Sequence, residues 1–293
     1  MIDLPVTLAG LFVGLVVGLT GMGGGALMTP LLVLVFGLEP LAAVSSDLVA
    51  SMFMKPIGAA VHLKRRTVHR QLVSWLVLGS VPSAFAGVLL LKRFGTQGLD
   101  VQHSIKGALG IALLVVVSAL ILKPLLRHRR SPLELEALVV KPVPTLLVGM
   151  LGGLVVGLTS VGSGSLMMML LLALYPAIRL SELVGTDLVQ AVPLVASAAL
   201  AHLLFGDFQM SVTASILIGS IPGIYVGARF SSRASDNVIR PLLVITLAAS
   251  GLKLLGVGTF SVAVSSAALG FASIAGHTLD SQRARARAAG QAS

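Results

Sequence analysis

The chain has 293 residues, of which 56% are apolar and 11% charged, and its mean hydropathy is +0.99. A water-soluble domain carries about a quarter charged residues, so this composition excludes one and indicates an integral membrane protein. The formal charge of +10 does not predict nucleic-acid binding, because Lys and Arg in membrane proteins mainly report which loops face the cytoplasm. The absence of cysteine excludes disulfides and thiolate chemistry.

Hydropathy and helix-breaking residues predict five helical segments in each half of the chain, followed by one unpaired segment. In the first half the segments lie near 6–20, 25–37, 42–63, 71–91 and 104–123. In the second half they lie near 144–159, 165–175, 182–205, 210–230 and 237–256, and the unpaired segment lies near 259–275. The expected fold class is an all-α polytopic membrane protein.

A repeated motif relates the two halves. The segment GLVVGLTGMGGGALM at 14–28 returns as GLVVGLTSVGSGSLM at 153–167, with eleven of fifteen positions identical. After one inserted residue the match continues at an offset of 140, which pairs Asp47 with Asp187. Ordered matches at constant spacing indicate an internal duplication.

The duplication divides the chain into four predicted parts. They are a first transmembrane repeat at 1–125, a basic cytoplasmic linker at 126–142, a second transmembrane repeat with one extra helix at 143–276, and a basic disordered tail at 277–293.

The first two segments of each half are short. They reach roughly 16–23 Å at about 1.5 Å per residue, whereas the hydrocarbon core is about 30 Å thick. Neither is therefore expected to span alone, and each pair forms either one broken span or a re-entrant hairpin. Broken spans make the halves parallel and place ten basic residues on each side. Hairpins leave three spanning helices per half and make the repeats inverted.

The distribution of the 21 basic residues favours the inverted arrangement. It places sixteen of them on one side and four on the other, with Lys55 inside the membrane. This asymmetry obeys the positive-inside rule, whereas ten against ten does not. We therefore expect inverted repeats with re-entrant hairpins, an N-terminus outside the cell and a C-terminus in the cytoplasm.

The glycine clusters between the short segments are candidate anion sites. The glycines within the cluster at 20–25 let a ligand approach the backbone. The amides at the start of the following helix carry the positive end of the helix dipole. The second copy at 159–165 adds hydroxyl donors. The alternative is close helix packing through small residues. Two clusters at equivalent places favour binding, because broken helices near the midplane mark transporter sites.

Polar residues near the start of the third segment of each half extend this prediction. Ser45, Ser46 and Asp47 correspond to Gly185, Thr186 and Asp187. They either cap helix amides or mark a second pair of helix N-termini that faces the first. An ionised aspartate repels an anion, so the two aspartates are either turned away from it or protonate during transport.

Lys55 lies near the centre of the segment at 42–63, where a charge costs at least ~2.5 kcal/mol. It is predicted to balance a bound anion, and a salt bridge to Asp47 is the alternative. Its repeat counterpart is Val195, which predicts an asymmetric site. His62 and His202 lie near helix ends and are expected to pack at the membrane interface.

The complete set of predicted site residues follows from these arguments. The predicted substrate-binding residues are Thr20, Gly21, Gly23, Gly24, Gly25, Ser45, Ser46, Lys55, Thr159, Ser160, Gly162, Ser163, Gly164, Ser165, Thr186 and Gln190, and the coupling residues are Asp47 and Asp187.

The chain resembles the TauE/SafE sulfite exporter family, also called the anion permease family. The resemblance is carried by the glycine motif at 14–25 with Pro30 after it, the second copy at 153–164, and the sequence GSVP at 79–82 with Gly87. It implies transport of small sulfur-containing anions and organic acids, such as sulfite, thiosulfate or sulfoacetate, across the bacterial inner membrane. The second copy departs from the first by placing serine at two glycine positions.

The predicted function is a secondary transporter, and more specifically an exporter, of a sulfite-like or organosulfonate anion. An anion channel is the alternative, and a membrane enzyme or assembly scaffold is the third hypothesis. The segment at 161–164 lacks the first glycine of a rhomboid-type protease motif, and no histidine and carboxylate cluster at metal spacing occurs in the sequence. We therefore predict no enzyme, no metal and no cofactor. The predicted partners are the small anion and the lipid bilayer, and the oligomeric state stays open.

Overall fold

The structure, a computed structural model, describes residues 2–20, 24–64, 67–94, 99–127, 139–176, 178, 180–230 and 236–270. Within these residues the chain is helical and contains no strand. The tail at 277–293, most of the linker at 126–142, and Gly21, Met22 and Gly23 lie outside the described residues.

The described residues form eleven helices, numbered in chain order: α1 Leu4–Thr20, α2 Gly25–Leu34, α3 Pro40–Lys64, α4 Arg70–Phe94, α5 Leu99–Arg127, α6 Pro142–Thr159, α7 Ser165–Leu174, α8 Leu180–Phe205, α9 Met210–Phe230, α10 Asp236–Leu254 and α11 Thr259–Gly270.

Five of these helices, α4, α5, α6, α8 and α9, are long and apolar enough to cross a membrane. The all-helical prediction is confirmed. Helix α6 is by length and composition a candidate span on its own, and the expectation that neither short segment of a half spans alone stays a prediction. Helix α6 begins at Pro142 and reaches 18 residues, about 27 Å at about 1.5 Å per residue. Proline is favoured in the first helical turn, where its missing amide hydrogen has no partner to lose.

The two third helices, α3 and α8, pack against each other near the centre of the molecule. Ser45 near the start of α3 contacts His202 near the end of α8. Gly58 near the end of α3 lies against Leu188 near the start of α8. The helices therefore run antiparallel, although they occupy equivalent places in the two halves.

Three further contacts between the halves each occur twice, in equivalent places. Helix α1 packs on α9, and its equivalent α6 packs on α4. In the same way α3 contacts α9 while α8 contacts α4, and α2 contacts α10 while α7 contacts α5. The duplicated sequence thus has a matching duplication of its contacts.

Glycine allows the closest of these pairs to form. A Cβ atom on Gly219 would collide with the carbonyl oxygen of Thr7, and one on Gly227 would collide with that of Leu15. Residues later in α1 contact residues later in α9, so the two helices run parallel. Helices α4 and α6 meet in the same way, with Gly153 against the backbone of Ser80. Each hairpin therefore packs its first helix against the other half.

The second helix of each hairpin is anchored in the core. Met28 and Leu32 of α2 belong to one cluster of buried apolar residues. Met167 and Leu171 of α7 belong to the other. All four side chains are almost fully buried, so both short helices are held inside the protein by apolar packing.

Candidate functional site

Both glycine clusters interrupt a helix where the sequence predicts a break. Helix α1 ends at Thr20 and α2 begins at Gly25, while α6 ends at Thr159 and α7 begins at Ser165. The side chains of Thr20 and Ser165 lie outside the described residues. The two interruptions divide each of these regions into a longer helix followed by one of 10 residues.

The second interruption has a turn geometry that depends on glycine. Ser160 adopts a left-handed conformation with φ 59°, and its amide donates to the carbonyl of Val156 to close α6. Gly162 has φ 110°, a region that side chains disfavour. Its carbonyl oxygen accepts bonds from the amides of Gly164 and Met167. The turn is thereby fixed by its own backbone.

The two interruptions contact each other. A Cβ atom on Gly25 would collide with the carbonyl oxygen of Ser160. One on Gly24 would have ordinary contacts, at 3.8 Å from Met54 Cε and 3.8 Å from Val17 Cγ2. The first turn of α2 therefore lies against the end of α6, and glycine is required at only one of these two positions.

Asp47 joins the two hairpins through hydrogen bonds. Its Oδ2 accepts from Thr29 Oγ1 at 2.9 Å and from Ser160 Oγ at 2.6 Å. One donor belongs to α2 and the other to the end of α6, and all three side chains are buried. Thr29 was not predicted as a site residue, although its hydroxyl is the only polar side-chain group in the sequence of α2.

Lys55 lies beside the second interruption. Its side chain is 7% exposed, and its Nζ donates to the carbonyl oxygen of Ser163 at 2.7 Å. Asp187 and Asp47 both interact with it electrostatically. An ammonium group has three donors, so this bond leaves two for other acceptors. Its counterpart Val195 is apolar and buried, which makes the two halves chemically unequal.

The start of α7 holds buried donors beside this lysine. Ser163 is 6% exposed, and no hydrogen-bond partner for its hydroxyl occurs among the described residues. The same part of the chain offers no partner for the backbone amides of Gly162 and Leu166. Buried donors normally have partners in protein, water or a bound group. This end of α7 can therefore accept a ligand with several negatively charged oxygens.

Ser46 and Thr186 have structural partners. The hydroxyl of Ser46 accepts a bond from the backbone amide of Gln209 at 3.2 Å, and that of Thr186 accepts one from His69 at 3.0 Å. Gln209 and His69 immediately precede α9 and α4. These hydroxyls therefore hold the starts of neighbouring helices, in the same way in each half.

The prediction of a second pair of helix N-termini at these residues is wrong. Helix α3 begins at Pro40 and α8 at Leu180, so Ser46 and Thr186 lie inside their own helices. The predicted segments already began near 42 and 182, and both residues lie in the second turn of their helices rather than at the N-termini. Gly185, beside Thr186, instead packs closely on the loop before α4.

Ser45 belongs to a buried network around His202. His202 Nε2 lies 2.8 Å from the carbonyl oxygen of Gly157, and Nδ1 lies 2.8 Å from Ser45 Oγ. A carbonyl only accepts, so Nε2 carries the proton and Nδ1 accepts from the serine. His202 is fully buried, and the expectation that it packs at the membrane interface is wrong because these partners hold it between α3, α6 and α8.

Gln190 and Thr159, which were also predicted as site residues, have hydrogen-bond partners within the protein. Gln190 donates to Asp187 Oδ1 at 3.2 Å and accepts from Ser80 at 3.5 Å. The hydroxyl of Thr159 donates to the carbonyl of Val155 within the last turn of α6, at 2.7 Å. No group of three or more His, Asp or Glu residues suited to a metal occurs within the described ranges.

The structure thus brings together residues from two helices and one turn: Gly25 of α2, Asp47 and Lys55 of α3, and Ser160 and Ser163 of the turn between α6 and α7. The remaining described residues of the predicted set lie around them or hold neighbouring helices.

Comparison with known proteins gives the family. The family described as Sulfite exporter TauE/SafE matches residues 6–254. The chain is 38% identical over 255 residues to the Probable membrane transporter protein YjnA of Bacillus subtilis (strain 168), covering 86% of this chain and 100% of that protein. It is 25% identical over 247 residues to the Probable membrane transporter protein YdhB of the same organism, covering 83% and 96%.

No solved structure matches the chain. The family match covers most of the chain, and the relatives are aligned over nearly their whole length. The chain is therefore a multi-pass membrane transporter that belongs to the TauE/SafE sulfite exporter family.

Proposed function

We propose that this transporter is a secondary carrier that exports a small sulfur-containing anion, such as sulfite or a sulfoacetate-like organosulfonate. The anion binds near the midplane between the two hairpins, and alternating access exposes it to each side in turn. The observation that carries this proposal is the buried group of donors at the start of α7, which lies beside Lys55 and contacts the first hairpin through Ser160.

The chemistry of these donors fits an oxyanion. Ser163 Oγ, the amides of Gly162 and Leu166, and the two remaining hydrogens of Lys55 all offer hydrogen to a negatively charged oxygen. The positive end of the α7 dipole adds to their field. On the other side, the backbone of Gly24 and Gly25 approaches and completes the site. A sulfonate or sulfite group presents three oxygens, which suits several donors converging from different directions.

The proposed topology is a pair of inverted repeats with re-entrant hairpins and three spanning helices in each half. The antiparallel packing of α3 on α8 supports it, because an axis that relates two antiparallel spans lies in the membrane plane. The N-terminus is then outside, and the linker at 126–142 and the tail at 277–293 are cytoplasmic. The membrane is the bacterial inner membrane.

The close packing between halves suggests which parts move together. Helix α1 is packed backbone to backbone on α9, and α6 is packed in the same way on α4. Each hairpin therefore moves with the fourth helix of the other half. One unit is the first hairpin with α9, and the other is the second hairpin with α4. Movement of these two units about α3 and α8 gives alternating access and keeps the glycine contacts of α1 with α9 and of α6 with α4.

The proposed partners are the anion and the lipid bilayer, with no nucleic acid, no cofactor and no enzymatic activity. Oligomeric assembly is not required, because both hairpins of the proposed site belong to one chain.

Uptake into proteoliposomes tests the proposal. Purified protein is reconstituted, and the entry of labelled sulfite, sulfoacetate and acetate is followed over a range of concentrations. We expect saturable uptake of the two sulfur-containing anions in preference to acetate. Single-channel current in planar bilayers would favour the anion channel, and the absence of any flux would favour an enzyme or scaffold.

A further inference from the structure

We propose that Asp47 binds one proton together with the anion, so that the two are carried as a pair. This proposal rests on the anion carrier proposed above. It assigns coupling to one of two aspartates that the duplication makes equivalent.

The balance of buried charge gives the first argument. Among the described side chains Lys55 is the one buried Lys or Arg, and Asp47 and Asp187 are buried carboxylates that both interact with it. A monovalent anion bound beside Lys55 adds a third negative charge against one positive charge, and divalent sulfoacetate adds a fourth. Uncompensated charge is costly inside a protein that is surrounded by lipid. A proton that binds with the anion removes one of the negative charges.

The position of Asp47 gives the second argument. Its Oδ2 accepts from Thr29 of the first hairpin and from Ser160 of the second, so its protonation state acts on both hairpins at once. Hydrogen bonds to an ionised acceptor are about twice as strong as those to a neutral one. A proton on Asp47 therefore weakens the link between the hairpins as the anion enters, and its release restores that link.

The other titratable groups on helices packed against α3 have different surroundings. Asp187 on α8 accepts from Gln190 of its own helix. His202 on α8 uses both ring nitrogens, with Gly157 and Ser45. Among the described side chains of the packed helices, the other titratable groups are the half-buried Glu182 at the start of α8 and the exposed His103, Lys106, Tyr225 and Arg229 of α5 and α9. Helix α2 contains no titratable side chain in its sequence.

The proton balance is simple. One proton from water joins a carboxylate oxygen of Asp47 when the anion binds, and it leaves from the same oxygen when the anion is released on the other side. No bond to the anion forms or breaks, and no electron is transferred. A monovalent anion then crosses without net movement of charge, whereas sulfoacetate, with an ionised sulfonate and an ionised carboxylate, crosses with one net negative charge.

Binding of sulfoacetate to the purified protein tests this assignment, because its carboxylate stays ionised at neutral pH. A pH-indicator dye in weak buffer reports proton uptake, and calorimetry reports the dissociation constant. We expect about one proton per anion, and a dissociation constant that rises about tenfold per pH unit where the site is coupled. In Asp47→Asn both effects are lost, and the dissociation constant becomes independent of pH.

Asp187→Asn is the matched control, since this residue is the repeat counterpart and is equally buried at 2% exposure. We expect it to retain proton uptake. Three results would overturn the proposal: wild-type protein that binds sulfoacetate without taking up a proton, proton uptake that persists in Asp47→Asn, or proton uptake that is lost only in Asp187→Asn. The first needs no variant, so a variant that fails to fold does not prevent the decision. Folded wild-type protein that binds no anion would overturn the proposed function, and this proposal with it.

Discussion

The two hairpins share one scaffold but differ in chemistry. The first has Gly21 and Gly24 where the second has Ser160 and Ser163, and the second also lies beside Lys55. The position that corresponds to Lys55 in the other half is the buried Val195. The duplication thus preserves the helix contacts, while charge and hydroxyl donors are concentrated at one hairpin. Symmetric contacts suit reversible movement between two states, and an asymmetric site suits one orientation of the anion.

The largest expected effect on uptake comes from removing the positive charge of Lys55. Lys55→Met should lower uptake about 10-fold to 100-fold, because a hydrogen bond to a charged group contributes about 1.5–3 kcal/mol and each 1.4 kcal/mol corresponds to about tenfold. Val195→Met is the matched control at the equivalent place and should lower uptake by much less. Equal losses in the two variants would mean that the site is not asymmetric.

The contact between the hairpins is tested by two adjacent glycines. Gly25→Ala should destabilise the protein by about 1–3 kcal/mol and impair uptake, because its Cβ meets the Ser160 backbone. Gly24→Ala has room for its Cβ and should behave like the parent. Thermal unfolding in detergent and uptake are measured for both. Equal unfolding temperatures and equal uptake in the two variants would contradict the contact between Gly25 and Ser160.

A smaller effect is expected from the unpaired hydroxyl. Ser163→Ala should weaken sulfoacetate binding about fivefold, since a hydrogen bond contributes about 1 kcal/mol. Stability should change little, because the hydroxyl has no partner in the described part of the chain. Ser80→Ala removes a buried hydroxyl on α4 and serves as the control. A loss of stability with unchanged affinity in Ser163→Ala would assign it a structural role.

The smallest effects test the symmetric part of the comparison. Ser46→Ala and Thr186→Val each remove one hydroxyl that accepts from the amide before a neighbouring helix. Each should lower the free energy of unfolding by about 0.5–1.5 kcal/mol, and the two values should be similar. Unequal values would show that the scaffold is less symmetric than its contacts indicate.

The helices and their interruptions could be read from the sequence because they depend on local patterns. Helix α7 was expected at 165–175 and runs from Ser165 to Leu174. The meeting of Ser160 with Asp47 could not be read in this way, because it joins residues 113 positions apart and depends on how the helices pack. Capping by Ser46 and Thr186 was one of the two alternatives predicted, but the sequence could not show that the amides belong to the starts of α9 and α4.

Labelling of a single cysteine at the second hairpin tests the central claim most directly, because the chain contains no cysteine. Ser163→Cys is treated with a thiol reagent that carries a sulfonate group, with and without sulfoacetate. An exposed control, Ser74→Cys, lies on α4. The proposed site predicts that sulfoacetate slows labelling at position 163 and leaves position 74 unaffected. Equal labelling rates at position 163 in a protein that still binds sulfoacetate would show that the anion does not bind between the hairpins.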